Sequence, residues 1–113
     1  MTDATLVRVA GIFRAVGDVG RLKLLAQLLA REATVTELAA STELPMSTVS
    51  QQLRLLRAAQ LVKRRRSGKQ LFYSVAHASV YELVEVATRN EAEARDESAA
   101  PIRAGRRESS RER

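Results

Sequence analysis

Apolar residues recur every three or four positions from the N-terminus to about residue 58, and only between Val62 and Val75 does the spacing shorten to alternation around a glycine. A spacing near 3.6 lines one face of a helix, whereas a spacing of two lines one face of a strand. The pattern therefore predicts a mainly α chain with one small β-hairpin. Composition agrees: aromatics make up 4% of 113 residues and Trp is absent, so the 45% hydrophobic content rests on Leu, Val and Ala, which suit helix packing better than a sheet sandwich. A chain of this length sustains one core.

Residues 3–16 place Leu6, Val9, Ala10, Phe13 and Val16 on one face, with Thr2 or Asp3 as cap and Gly17 as the stop. Asp18 caps a second helix whose stripe is Leu22, Leu25, Leu28 and Leu29, widened by Leu24. Thr34-Val35-Thr36-Glu37 has capping-box spacing, which predicts a short third helix over about 35–41 with Val35, Leu38 and Ala39 inward. The periodicity breaks over residues 42–46, where Pro45 suits the first position of a fourth helix because its missing N–H would have had no partner there. In that helix Val49, Leu53 and Leu56 form the inner stripe, and Ser47, Thr48, Ser50, Gln51, Gln52 and Arg54 lie off it. Ser79-Val80-Tyr81-Glu82 repeats the capping-box spacing and opens a fifth helix to about residue 95, with Val80, Leu83, Val84, Ala87 and Asn90 on one side.

The net charge of +6 points to a polyanionic partner, either nucleic acid or an acidic membrane surface. Much of it is concentrated: residues 61–75 carry Lys63, Arg64, Arg65, Arg66 and Lys69 and no acid. Leu61, Val62, Leu71, Phe72 and Val75 flank the cluster and anchor the hairpin to a core, with Gly68 supplying a positive φ at the tip. A solvated hairpin is the plain alternative, but fixed positive charge is what a phosphate backbone rewards. The outer face of the fourth helix also lacks any acid. An ordinary solvated face mixes signs, whereas this one offers hydroxyls, carboxamides and guanidinium groups that bond base edges and phosphates.

The fifth helix is acidic, with six acids against two bases over residues 76–97, and belongs away from a polyanion. Its apolar side and that of the first helix are expected to join two copies through Leu6, Val9, Phe13, Val80, Leu83, Val84 and Ala87. Residues 98–113, rich in Ala, Arg, Ser and Glu, read as a disordered basic tail, leaving 1–97 as the folded DNA-binding and dimerisation domain.

Several classes of function find no support. Without Cys there are no disulfides and no thiolate sites. One His and no adjoining carboxylate pair leave no nucleophile, base and orienting group to assemble, so the chain is not expected to be an enzyme. No apolar run approaches the roughly 20 residues of a membrane span. Asp3, Arg8 and Arg14 also break up the first residues, so a leader and a membrane role are both disfavoured and a cytoplasmic protein is expected.

Gly17-Asp18-x-x-Arg21-Leu22-x-Leu24-Leu25, then Ser47 through Arg57, then Leu61-Val62, Arg65, Gly68 and Phe72-Tyr73 resemble the arsenic-repressor (ArsR/SmtB) family over residues 6–95. The resemblance implies a winged helix-turn-helix of about five helices plus a two-stranded wing, dimerising through the first and last helices. It also implies a homodimeric, cytoplasmic repressor of transcription that binds a palindromic double-stranded DNA operator. Ser47, Thr48, Ser50, Gln51, Gln52 and Arg54 match the family's recognition helix, and Arg65, Arg66, Gly68 and Lys69 its wing.

Two departures stand out. Val19-Gly20 replaces the usual Pro-Thr at the start of the second helix, and Thr34 and Thr36 stand where many metal sensors carry thiolates, which hydroxyls do not replace for soft metals. Of the fifth-helix ligand positions, His77, Ser79, Asn90 and Glu93, only His77 and Glu93 are credible. A pair of this kind holds a divalent ion such as nickel or zinc weakly at best, so no cofactor is expected to be required. The competing reading of His77 is a polar residue at a strand-helix junction. Another competing reading of the whole chain is a winged-helix interaction module that works through a partner regulator rather than by reading DNA itself. The effector, or partner protein, is not legible in the residues.

Overall fold

The computed structural model describes residues 1–99. Its elements are α1 (Asp3–Val16), α2 (Val19–Ala30), α3 (Val35–Thr42), α4 (Met46–Ala58), β1 (Val62–Ser67), β2 (Gln70–Val75) and α5 (Ala78–Ala99). Two compact units emerge: residues 1–81, which hold α1 to β2 and the start of α5, and a second unit from Glu82 onward. The helix-turn-helix pair α3 and α4 followed by an antiparallel hairpin makes residues 1–81 a winged helix-turn-helix.

Local chemistry sets the helix ends. Thr2 caps α1 by accepting from the Thr5 N–H at 3.1 Å, and Asp18 caps α2 by accepting from the Arg21 N–H at 3.0 Å. At α3 both halves of the capping box are made: Thr34 Oγ1 accepts from the Glu37 N–H at 3.2 Å, and Glu37 Oε1 accepts from the Thr34 N–H at 2.9 Å. Pro45 stands one position earlier than expected, as the residue preceding α4. Its ψ of 146° is extended while its carbonyl already accepts from the Val49 N–H, so the fixed φ of proline serves as the cap rather than as the first turn.

The C-terminus of α4 closes with Leu61 N–H bonded to Leu56 O and Gln60 N–H bonded to Arg57 O, with Gln60 at a φ of 62°. This is the Schellman arrangement, and both residues of its hydrophobic contact, Leu56 and Leu61, are buried. The turn delivers the chain from α4 straight into β1.

α2 is central, packing against α1, α3, α4 and β2. The core is Leu24, Leu25 and Leu28 of α2, Leu38 of α3, and Val49, Leu53 and Leu56 of α4, joined by Leu61, Val62, Tyr73 and Val80. Each fully buried Leu contributes about 1.5–3 kcal/mol relative to exposure. Leu24 is fully buried and Leu22 is 39% exposed, so the inner face of α2 is centred on Leu24, Leu25 and Leu28 rather than on a stripe that includes Leu22.

β1 and β2 pair in register from Val62 opposite Val75 to Ser67 opposite Gln70, leaving Gly68 and Lys69 as the loop, with Gly68 at a φ of 63°. Strict alternation puts Leu71, Tyr73 and Val75 toward the core. Phe72, expected there, lies on the other side of the pleat with the Arg65 guanidinium 4.8 Å above its ring. β2 is also stitched to the α2–α3 connection by a two-bond bridge between Ala33 and Tyr73.

α5 differs from expectation at both ends. It starts at Ala78, ahead of the Ser79 box, and the Val80 N–H bonds the His77 carbonyl. It runs to Ala99, into the segment expected to be a tail; residues 100–113 of that segment lie outside the described residues. No helix among the described residues is long and apolar enough to cross a membrane.

Candidate nucleic-acid interface

From Leu44 to Tyr81 the chain contains no Asp or Glu, yet it carries Arg54, Arg57, Lys63, Arg64, Arg65, Arg66 and Lys69. This interval is α4 and the hairpin, and α4 packs against β1. The buried stripe Val49, Leu53 and Leu56 fixes the rotation of α4. The opposite side then turns Ser47, Ser50, Gln51 and Arg54 outward, with Thr48 and Gln52 half-buried at its margins. Exposed hydroxyl, carboxamide and guanidinium groups on one rigid helix supply the donors and acceptors that base edges and phosphates engage.

Gln52 is not free. Its Oε1 accepts from Arg21 Nη1 at 2.8 Å, and the same guanidinium caps the end of α1 by donating to the Arg14 and Ala15 carbonyls. Arg21 therefore ties α1, α2 and α4 together. Nothing in the periodicity signalled this, because the partners are 31 residues apart and neither is apolar.

The hairpin separates its charges in the same way. Arg65 is engaged by Glu32, which accepts from both Nε and Nη2, and it also covers Phe72. The hydrogen bond from Arg65, opposed in part by desolvation and aided to a smaller extent by the guanidinium charge, holds the Glu32 carboxyl below the usual carboxylate range, and the Arg65 pKa is raised in turn. Arg64 donates to the Tyr73 hydroxyl at 3.3 Å. Arg66 and Lys69 stay exposed near the loop, and Lys63 is exposed at the base. Gly68 has nothing within 4 Å of where a Cβ would stand, so the loop is open on that side.

The expected dimer residues fall into three environments. Leu6 and Phe13 of α1 are 47% and 57% exposed, with Val9 half-buried. Val80 is 2% exposed and belongs to its own protomer's core, since the short β2–α5 connection draws the first turn of α5 inward, which corrects its assignment as a contact between copies. Leu83 and Val84 are half-buried and Ala87 is exposed.

His77 is exposed just ahead of α5, and Glu93 is exposed on α5. No group of three or more His, Cys, Asp or Glu gathers among the described residues. The imidazole of His77 and the carboxylate of Glu93 are two donors, fewer than the three or four of a tight zinc site.

Comparison with known proteins places these features in a family. The profile of the bacterial regulatory protein, arsR family, matches residues 18–64, from the cap of α2 into β1. A transcriptional repressor SmtB homolog of Synechocystis is 42% identical over 76 residues, 67% of this chain and 58% of that protein. The match thus takes in less than two thirds of that relative's length. The uncharacterized HTH-type transcriptional regulator Rv0081 of Mycobacterium tuberculosis is 38% identical over 69% of each chain. Its crystal structure superposes with a TM-score of 0.79 over 88% of this chain and all of that one, at 30% identity. The homodimeric winged helix-turn-helix domain Mb0332 of Mycobacterium bovis gives a TM-score of 0.81 at 27% identity, covering 90% of this chain and 97% of that one. These relatives are described as regulators of transcription, not as enzymes. The chain belongs to the ArsR family of bacterial transcriptional regulators.

Proposed function

We propose that this protein is a sequence-specific DNA-binding repressor that acts as a homodimer on a palindromic operator. The observation that carries the reading is the acid-free interval from Leu44 to Tyr81, which joins an outward polar face on α4 to the exposed cations Lys63, Arg66 and Lys69. In this reading Ser47, Ser50, Gln51 and Arg54 face the major groove, with Thr48 at the margin. Arg66, Gly68 and Lys69 form the wing against flanking phosphates. Arg65 and Gln52 hold those surfaces in place.

Two copies are joined through α1, whose Leu6, Val7 and Phe13 are exposed apolar side chains, together with Leu83, Val84 and Ala87 of α5. That Mb0332 is homodimeric supports a pairing of two copies. Two recognition helices related by a two-fold axis would set half-site centres about 34–36 Å apart. The protein is expected to work in the cytoplasm, where its DNA is, and without a required metal.

The test is fluorescence anisotropy of the purified full chain with its own promoter fragment and with a scrambled fragment, across a salt series. The expected result is tighter binding to the promoter at every salt concentration and a linear fall of log affinity with log salt. Equal, salt-insensitive affinity for both fragments would overturn the reading.

A further inference from the structure

Between α1 and α4 lies a groove of about 720 Å³, within the size range of small-molecule sites. Its apolar lining includes Val9, Ile12 and Ala15 of α1 with Leu55 and Ala58 of α4. Its polar lining is strongly one-signed: Arg8, Arg14 and Arg21 border it, and no Asp or Glu lines it among the described residues. An apolar bed bordered by three cations complements a ligand with an apolar body and one negative end.

Arg21 gives the groove a connection to the DNA-facing helix. Three of its five N–H groups are committed, to the Ala15 carbonyl, the Arg14 carbonyl and Gln52 Oε1; the first two acceptors are fixed backbone, so Gln52 is the acceptor that a ligand competes with when it turns the guanidinium toward itself. A carboxylate is a stronger acceptor for guanidinium than a neutral carboxamide. A carboxylate lodged in the groove would therefore draw Arg21 away from Gln52 and release the α4 side chain that Arg21 holds.

We propose that the groove between α1 and α4 binds a small amphiphilic carboxylate, and that Arg21 relays its occupancy to Gln52 on the DNA-facing helix. The proposal rests on the DNA-binding reading and names the chemistry of its effector.

The probe is 2-naphthoate, titrated into the ¹⁵N-labelled full chain with 2-naphthol and inorganic phosphate as controls. The expected result is saturable movement of the Ile12 and Ala58 amides together with the Arg21 Nε–H and Gln52 carboxamide signals. Naphthol and phosphate should each bind about tenfold more weakly, because each supplies only half of the complementarity. Arg8→Glu should weaken naphthoate by a similar factor through charge, and Ala58→Leu should block it by filling the groove.

Saturating naphthoate should also lower DNA affinity about fivefold in the wild type, the contribution of one hydrogen bond, and leave the Ala58→Leu protein unchanged. Naphthol or phosphate binding as tightly as naphthoate, or titrations indifferent to both substitutions, would overturn the proposal. So would static Gln52 signals, or dissociation of a dimer by Ala58→Leu in sedimentation, which would mean that a second copy covers the groove. Failure of the ligand-free protein to bind DNA sinks only the regulator reading, since the titration reads the groove in the free protein.

Discussion

Arg65 Nε donates to Glu32 Oε2 at 3.2 Å while its Nη2 bonds the other carboxylate oxygen, clamping the hairpin to the connection between α2 and α3. The bond lowers the Glu32 pKa in the folded chain, so the folded state binds fewer protons than the unfolded one in the acid range. The resulting stabilisation is present above the ordinary carboxylate range and is lost as pH falls through the depressed value. Glu32→Gln is expected to lower the urea midpoint slightly at pH 7, with the difference from wild type closing in acid once both proteins carry a neutral side chain. The pair is exposed, so added salt should shrink the effect. An acid-side difference as large as that at neutral pH would show that the clamp is not electrostatic.

Gln60 occupies the left-handed conformation that closes α4, at a cost of about 1 kcal/mol relative to glycine. Its N–H bond to Arg57 O is a backbone bond that survives substitution. Gln60→Gly is therefore expected to raise stability by up to about 1 kcal/mol, read by chemical denaturation, even though glycine loses more entropy on folding. Gln60→Val, β-branched at the same φ, should lower it.

What the residues announced in advance was what depends on neighbours in sequence. The Thr34 and Glu37 box, the Asp18 cap and the Val49, Leu53 and Leu56 stripe are all local patterns, and each forms as its spacing implies. Leu22 and Leu24 show where this runs out: on a leucine-rich helix several stripes are equally apolar, and only the packing of α1, α3, α4 and β2 around α2 selects Leu24. Phe72 is as apolar as its neighbours Leu71 and Val75 and so reads as a core anchor with them, although the alternation that puts Tyr73 and Val75 inside turns it out. The links from Arg21 to Gln52 and from Glu32 to Arg65 join polar residues 31 and 33 positions apart, and no local rhythm encodes such pairs.

That separation of charges orders the hairpin cations by role. Arg66 and Lys69 are exposed with no carboxylate partner among the described hydrogen bonds, whereas Arg65 is neutralised by Glu32. Lys69→Ala and Arg66→Ala are each expected to weaken binding to specific and scrambled DNA alike and to reduce the salt slope by about one. Arg65→Ala should change the slope less and stability more. A larger slope change for Arg65 than for Lys69 would show that the clamp opens on DNA.

The two adjacent glutamines of α4 separate in the same manner, and they offer the sharpest test of base reading. Bidentate pairing with adenine needs the carboxamide oxygen and nitrogen turned to one base edge. Gln52 is half-buried with its oxygen directed to Arg21, while Gln51 is exposed and has both groups available. Gln51→Ala is expected to cost about 1–3 kcal/mol on the promoter site and little on scrambled DNA, with stability unchanged. Gln52→Ala should instead lower folding stability by about 1 kcal/mol, because Arg21 loses an acceptor, and should weaken both DNA fragments to a similar extent. Paired anisotropy and denaturation measurements on the two variants decide the matter. If Gln52→Ala loses only promoter affinity at unchanged stability, Arg21 surrenders its partner on binding and Gln52 is the base reader.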